Sequence, residues 1–139
     1  MSTVMSQAEW DAQFARQAGW TRATRVYLYR RANLLRAKHI LDVGSGTGTV
    51  TEEIASRTEG HVIGVDLDPA MIAHALARDG QVEYRLGDAH DLPFPDASFE
   101  VTTCHFVLMW CDNPLQAARE MVRVTHPGGA VLDLSRRWQ

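Results

Sequence analysis

Asp42-Val43-Gly44-Ser45-Gly46-Thr47-Gly48 decides how this 139-residue chain is read. The stretch completes the apolar run His39-Ile40-Leu41-Asp42-Val43 and leads into a segment with Val50 and Ile54 on one helical face. A short apolar run closed by glycine reads as a strand, and apolar spacing of four reads as a helix. Glycines are needed at such a junction because the chain turns sharply and a ligand must touch the backbone. The helix that follows also offers unpaired N–H donors at its first turn. Alone, a Gly-x-Gly-x-Gly loop does not choose its ligand, because dinucleotide-binding domains use nearly the same turn.

The same alternation continues downstream. His61-Val62-Ile63-Gly64-Val65-Asp66 reads as a second strand. Asp68 is placed to cap a helix that begins at Pro69, where a missing N–H costs nothing. Met71, Ile72, Ala75 and Leu76 form the inward stripe of that helix, with Gly80 as its closing residue. A third strand is expected over 81–86, then a turn-rich loop over 87–98. The apolar run 99–110 splits into a fourth strand and the start of a loop. Asn113-Pro114 opens another helix with Leu115, Ala118, Met121 and Val122 inward, and Pro127-Gly128-Gly129 turns tightly into a fifth strand over 130–134. Strands alternating with helices imply parallel pairing through right-handed crossovers. The fold class is therefore α/β: a Rossmann-like doubly wound sheet of about five mainly parallel strands. Residues 1–37 read as an N-terminal helical cap of two helices broken near Gly19, and residues 38–139 as the ligand-binding core.

Three details bear on the ligand. An NAD fingerprint is Gly-x-Gly-x-x-Gly/Ala, whereas Thr49 stands at its last position here and the third glycine comes one residue early. Asp42, two residues before the first glycine, would oppose a pyrophosphate but suit the ammonium group of S-adenosylmethionine (SAM). Asp66, 22 residues beyond Gly44, is placed to accept hydrogen bonds from ribose hydroxyls, a feature that NAD and SAM sites share. SAM is favoured over NAD.

Composition excludes other classes. With 45% hydrophobic and 22% charged residues this is an ordinary globular chain. A net charge of −3 gives no basic surface of the kind a nucleic-acid backbone requires. The basic residues Arg22, Arg25, Arg30, Arg31, Arg36 and Lys38 gather in a predicted helix and read as a solvated face. No apolar run is long enough to span a membrane. Gln7, Glu9, Asp11 and Gln13 stand where a signal peptide would be apolar, and Cys104 and Cys111 lack a Cys-x-x-Cys spacing, so the chain reads as cytoplasmic.

From Ile40 to Leu132 the sequence resembles class I SAM-dependent methyltransferases, in the type 11 branch that includes ubiquinone/menaquinone-biosynthesis enzymes. Ile40-Leu41-Asp42-Val43-Gly44-Ser45-Gly46-Thr47-Gly48 resembles the family's first motif, with serine where many members have cysteine. Val62-Ile63-Gly64-Val65-Asp66-Leu67-Asp68-Pro69-Ala70-Met71 is similar to the ribose-binding segment. Gly87-Asp88-Ala89, the stretch from Leu92-Pro93-Phe94-Pro95-Asp96 to Val101, and Arg119-Glu120-Met121-Val122-Arg123-Val124 followed by Pro127-Gly128-Gly129 resemble later motifs in the same order. The resemblance implies that Asp42, Gly44, Ser45, Gly46, Gly48 and Asp66 bind SAM. It also implies that Asp88 accepts from the adenine amino group, that Ala89 N–H meets a ring nitrogen, and that Leu67 and Met71 sandwich the base. Trp20, Tyr27 or Tyr29 is expected near the sulfonium.

The chemistry expected is direct methyl displacement with S-adenosylhomocysteine as product, for which a dedicated catalytic residue is optional. His105, at the predicted end of the fourth strand, is the candidate general base. No proline precedes Cys104, no Asn-Pro-Pro-Tyr follows the fourth strand, and no histidine pair has metal-ligand spacing, so a small-molecule acceptor is expected without a metal. The family fold has seven strands and five are counted here. The C-terminal strands of the full fold are therefore read as missing, and the fifth strand as an open edge available for a homodimer. The alternative is a SAM-binding module or fragment without turnover of its own.

Overall fold

A computed structural model describes residues 4–135, so the last four residues of the range read as core, 136–139, lie outside the described residues. In chain order the elements are α1 (Gln7–Arg31), a 3-10 turn (Leu34–Arg36), β1 (His39–Val43), α2 (Thr49–Ser56), β2 (His61–Asp66), α3 (Pro69–Leu76), β3 (Glu83–Leu86), β4 (Phe99–His105), a second 3-10 turn (Leu108–Trp110), α4 (Pro114–Val124) and β5 (Thr125–Leu134). All the strand pairs are parallel, in the order β3-β2-β1-β4-β5. The expected doubly wound sheet is present, and its order reverses between β1 and β4.

Alternation along the strands builds a core on both faces of the sheet. Ile40 of β1 joins Val62, Val50, Ile54, Leu34 and Tyr29 on one face, under α1 and α2. Leu41 and Val43 join Ile63, Val65, Phe99 and Met121 on the other, under α4. Side chains covered on both faces explain why β1 and β2 read as continuous apolar runs rather than as alternating ones.

Several local expectations are corrected. The N-terminal segment is one 25-residue helix, not two. Gly19 is exposed in its middle with no atom crowding it, so it costs about 1 kcal/mol relative to alanine without breaking the hydrogen-bond ladder. Ser6 and Glu9 close a capping box at its start. In α3, Met71 and Ala75 are buried but Leu76 is exposed. The helix ends at Leu76, and the left-handed residue after it is Asp79 (φ 52°) rather than Gly80. The buried face of α4 is Ala117, Glu120, Met121 and Val124, while Leu115 and Val122 point outward. Pro127-Gly128-Gly129 does not precede the fifth strand. It forms an irregularity inside it, between the Phe99–Thr125 and Val101–Ala130 pairs, with Gly128 at φ 86°. Of the basic cluster, Arg25 is not solvated: it is 2% exposed and paired with Glu53 of α2 at 2.7 Å.

Among the described residues β5 pairs only with β4 and is an edge. No described helix is long and apolar enough to cross a membrane.

Candidate functional site

A cleft of about 540 Å³ opens at the C-terminal ends of the strands, where the strand order reverses. Open α/β sheets bind ligands at this place because the turns leaving adjacent strands diverge there. The glycine loop forms one wall. Gly44 and Gly46 have φ of 71° and 54°, and Gly44 N–H and Ser45 N–H both donate to Val65 O, at 2.8 and 3.0 Å. A Cβ on Gly46 would lie 2.9 Å from the Phe14 ring, so the loop passes under α1 only with glycine at that position. Gly48, expected to bind ligand, instead lies outside the cleft lining as the N-cap of α2, packed against Tyr84 and Ala75.

The two strand-tip carboxylates occupy different environments. Asp42 is 2% exposed, and its Oδ2 accepts from Thr51 Oγ1 at 2.7 Å. Burial pushes its carboxyl up to about 7; the Thr51 bond and the Arg25 charge oppose that rise, and the Asp66 charge adds to it. Beside it is a second void of about 40 Å³, bounded by Asp42, Ser45, Gly46, Phe14 and His105 among others. Ser45 Oγ is buried there with no partner among the described residues. Asp66 instead borders the main cleft. Its Oδ2 accepts from Gly46 N–H at 2.8 Å and its Oδ1 from Asp68 N–H at 3.0 Å. Each oxygen retains an acceptor site for a ligand hydroxyl.

Leu67, Met71, Asp88 and Ala89 also line the cleft, so the structure brings together most of the residues expected to bind SAM. Leu67 is 67% exposed, and Met71 is buried at the base of α3. The backbone N–H and ring of His90 hold the Asp88 carboxyl below the usual carboxylate range. Ala89 N–H donates to no acceptor among the described residues and is free for a ligand.

His105, the last residue of β4, borders both the cleft and the small void. Its Nε2 lies 2.7 Å from Thr21 Oγ1 of α1, which also receives a bond from Arg25 at 2.8 Å. Burial, with the Arg25 charge adding and Glu53 opposing, pushes the His105 imidazole down to about 4, so it is neutral at physiological pH. Cys104 is buried beside Asp133 with its thiol pushed up, which keeps it protonated.

The aromatic cover is not the expected one. Trp20 and Tyr27 are exposed, Tyr29 is in the core, and none of the three lines the cleft. Trp10 and Phe14, stacked at 5.5 Å on the first half of α1, do. Asp11 fixes that half by accepting from Thr47 Oγ1 at 2.6 Å, Thr49 Oγ1 at 2.9 Å and Arg78 at 2.5 Å. The spacing of four between Trp10 and Phe14 was the available signal. Nothing in the sequence paired Asp11 with residues 36 and more positions away.

The family described as Methyltransferase domain matches residues 41–132 of this chain. Among curated proteins, the chain is 40% identical over 104 residues to the malonyl-[acyl-carrier protein] O-methyltransferase of Erwinia pyrifoliae, covering 74% of this chain and 38% of that protein. It is 36% identical over 124 residues to the ubiquinone/menaquinone biosynthesis C-methyltransferase of Idiomarina loihiensis, covering 84% and 49%. Among solved structures it is similar to the [4+2]-cyclase SpnF, with a TM-score of 0.71 and 30% identity over 80% of this chain and 43% of that one. The chain spans about half the length of such relatives or less.

Proposed function

The chain belongs to the methyltransferase domain family, and on that premise we propose that its cleft binds SAM and serves methyl transfer to a small-molecule acceptor. The observation that carries this reading is Asp42. It is a fully buried carboxylate whose ionisation lacks a full counter-charge, set beside a small void under the glycine loop. A ligand ammonium there would supply that charge, whereas a pyrophosphate would meet a carboxylate instead of donors. Ser45 Oγ, unpartnered in the same void, would take a polar atom of the ligand's amino-acid end.

In this reading Asp66 holds the ribose hydroxyls. Asp88 and Ala89 N–H take the base edge, and Leu67 and Met71 take its faces. The bound cofactor supplies an electrophilic methyl on a sulfonium. The remaining work falls to the protein: aligning an acceptor with that methyl and excluding water. Trp10 and Phe14 cover the glycine loop, a placement suited to excluding water. His105 is the candidate proton acceptor for a hydroxyl or an acidic carbon. With its conjugate acid near 4 it is ready to accept above pH 5 but weak, which suits a proton already made acidic as the new bond forms. The relatives differ in their stated reactions, O-methylation, C-methylation and a cyclisation, so cofactor binding and turnover require separate tests.

Calorimetric titration with SAM, S-adenosylhomocysteine and NAD tests the binding half. The first two should bind with micromolar constants while NAD gives no heat. Saturable NAD binding with no SAM binding would overturn the reading. Turnover is tested by S-adenosylhomocysteine release on addition of hydroxyl, carboxyl and activated-carbon acceptors. If binding is intact and no acceptor supports release, the chain is a cofactor-binding module instead.

A further inference from the structure

His90 is not absorbed by the reading above, although it borders the same cleft. Its backbone N–H donates to Asp88 Oδ1 at 2.9 Å, and its Nδ1 lies 2.8 Å from the same oxygen. On the far side of the ring, Asn113 N–H donates to Nε2 at 3.1 Å. A backbone amide can only donate, so Nε2 must be the bare nitrogen and Nδ1 must carry the proton. The Nδ1–H then donates to Asp88, and the tautomer is fixed by the main chain of Asn113. That amide cannot drift, because Asn113 caps α4 by accepting from Gln116 N–H at 3.1 Å, and Gln116 in turn donates to His90 O at 3.2 Å.

Both bonds from His90 fall on Oδ1. Among the described residues no donor reaches Oδ2, the oxygen left for a ligand. The N-terminus of α4 thus sets the orientation of a carboxylate in the cleft through one histidine ring. The same loop is tied to α4 again further on, where Glu120 accepts from Leu92 N–H at 2.9 Å and Arg123 donates to Leu92 O at 3.0 Å.

We propose that His90 is a positioning residue for nucleobase selection: it occupies one oxygen of Asp88 and thereby aims the other at the exocyclic amino group of an adenine ring. This rests on the reading of the cleft as an adenosyl-cofactor site. Hypoxanthine, which carries an oxo group in place of the amino group, would meet Oδ2 as acceptor against acceptor. Hypoxanthine N1–H would also oppose Ala89 N–H, but equally in every variant, so the change in preference between variants measures how firmly Asp88 is aimed.

The experiment is calorimetric titration of the full chain with S-adenosylhomocysteine and with S-inosylhomocysteine. The variants are Asp88→Asn, His90→Asn and His90→Gln. The Asn amide nitrogen falls near the place of Nδ1 and keeps the donor to Asp88. The Gln amide reaches the place of Nε2 and keeps only the contact with Asn113. The native chain should prefer the adenine ligand by about tenfold or more, the size of an oriented bond to a charged acceptor. His90→Gln should lower that preference about fivefold by weakening the adenine ligand alone, and His90→Asn should retain most of it. A His90→Gln chain that keeps the native preference, or that weakens both ligands equally, overturns the proposal while Asp88→Asn still lowers selectivity. A native chain without preference, or an Asp88→Asn chain that keeps it, refutes the role of Asp88 itself, and the proposal with it. Thermal unfolding of each variant establishes that the comparison is made on folded protein.

Discussion

The tips of β1 and β2 carry the same residue type to the same end of the sheet, yet the two carboxylates are built for different tasks. Asp42 is sealed under the glycine loop, with one hydroxyl from Thr51 on Oδ2 and a raised proton affinity. Asp66 stands at the cleft wall, with two backbone N–H groups already on it. Burial makes the first an electrostatic site, sensitive to whether a cation arrives. Two main-chain donors and a place at the cleft wall make the second an oriented acceptor, suited to neutral hydroxyls. Register pairs Asp42 with Gly64 and places Asp66 two residues further along β2, so the deeper position falls to β1 and the exposed one to β2. In the proposed function the two tips hold opposite ends of one ligand, and each can be removed separately.

The larger effect belongs to Asp66. Asp66→Ala removes the acceptor for two hydroxyls and also frees Gly46 N–H, loosening the turn that forms the cleft wall. Two hydrogen bonds to a charged group amount to about 3 kcal/mol or more, so affinity for S-adenosylhomocysteine should fall about 100-fold. Val131→Thr, on the open edge at β5, should change affinity less than about twofold by the same titration. If the two variants weaken binding alike, the strand-tip assignment fails.

Asp42→Asn should cost less in binding and should raise stability. The folded carboxyl lies near 7 against an ordinary 3.8, so the folded state holds more protons than the unfolded chain between about pH 4 and 7. Stability therefore falls as pH rises through that window, because ionisation in the folded state is the costly event. Asparagine abolishes that slope. The variant should match the native chain near pH 4 and exceed it by roughly 2–4 kcal/mol at pH 7.5 in urea unfolding. In the same variant cofactor affinity should fall about tenfold at pH 7.5 and little at pH 5.5, where the native carboxyl is already protonated. A variant less stable than the native chain at pH 7.5 would show that Asp42 has a fixed cation partner in the folded protein.

How much of this was legible follows from which groups do the holding. Wherever main-chain geometry dominates, the sequence displays it. The glycines at positive φ, the Asp68-Pro69 and Asn113-Pro114 caps, and the buried apolar runs of β1 and β2 are local patterns with local causes. The doubly wound parallel sheet, with its ligand crevice at the strand ends, followed from them. Long-range side-chain bonds left no such trace. The face of α4 was misjudged because Glu120 looks like a solvent residue. It turns inward because its carboxylate takes Leu92 N–H and pairs with Arg123, which rotates Leu115 and Val122 outward. Asp11 was passed over for the same reason: its partners Thr47, Thr49 and Arg78 become neighbours only after α1 folds across the glycine loop. Arg25 looked solvated until Glu53 came opposite it.

The contrast between the two tips can be sharpened without touching either carboxylate. Thr51 sits in the first turn of α2, fully buried, and its hydroxyl donates to Asp42 while making no bond to Asp66. That bond favours the charged form, so it holds the Asp42 carboxyl lower than burial alone would set it. Thr51→Val keeps the shape of the side chain and removes the donor. The Asp42 pKa should then rise above its native value near 7, and the midpoint of the pH dependence of S-adenosylhomocysteine affinity should move up with it. At pH 7.5 more of the variant must lose a proton before the ligand ammonium finds its partner, a cost of roughly two- to fivefold in affinity for one lost hydrogen bond. At pH 5.5 both chains are protonated there and the difference should close. Titration across that range separates this from a packing effect, which would weaken binding equally at every pH.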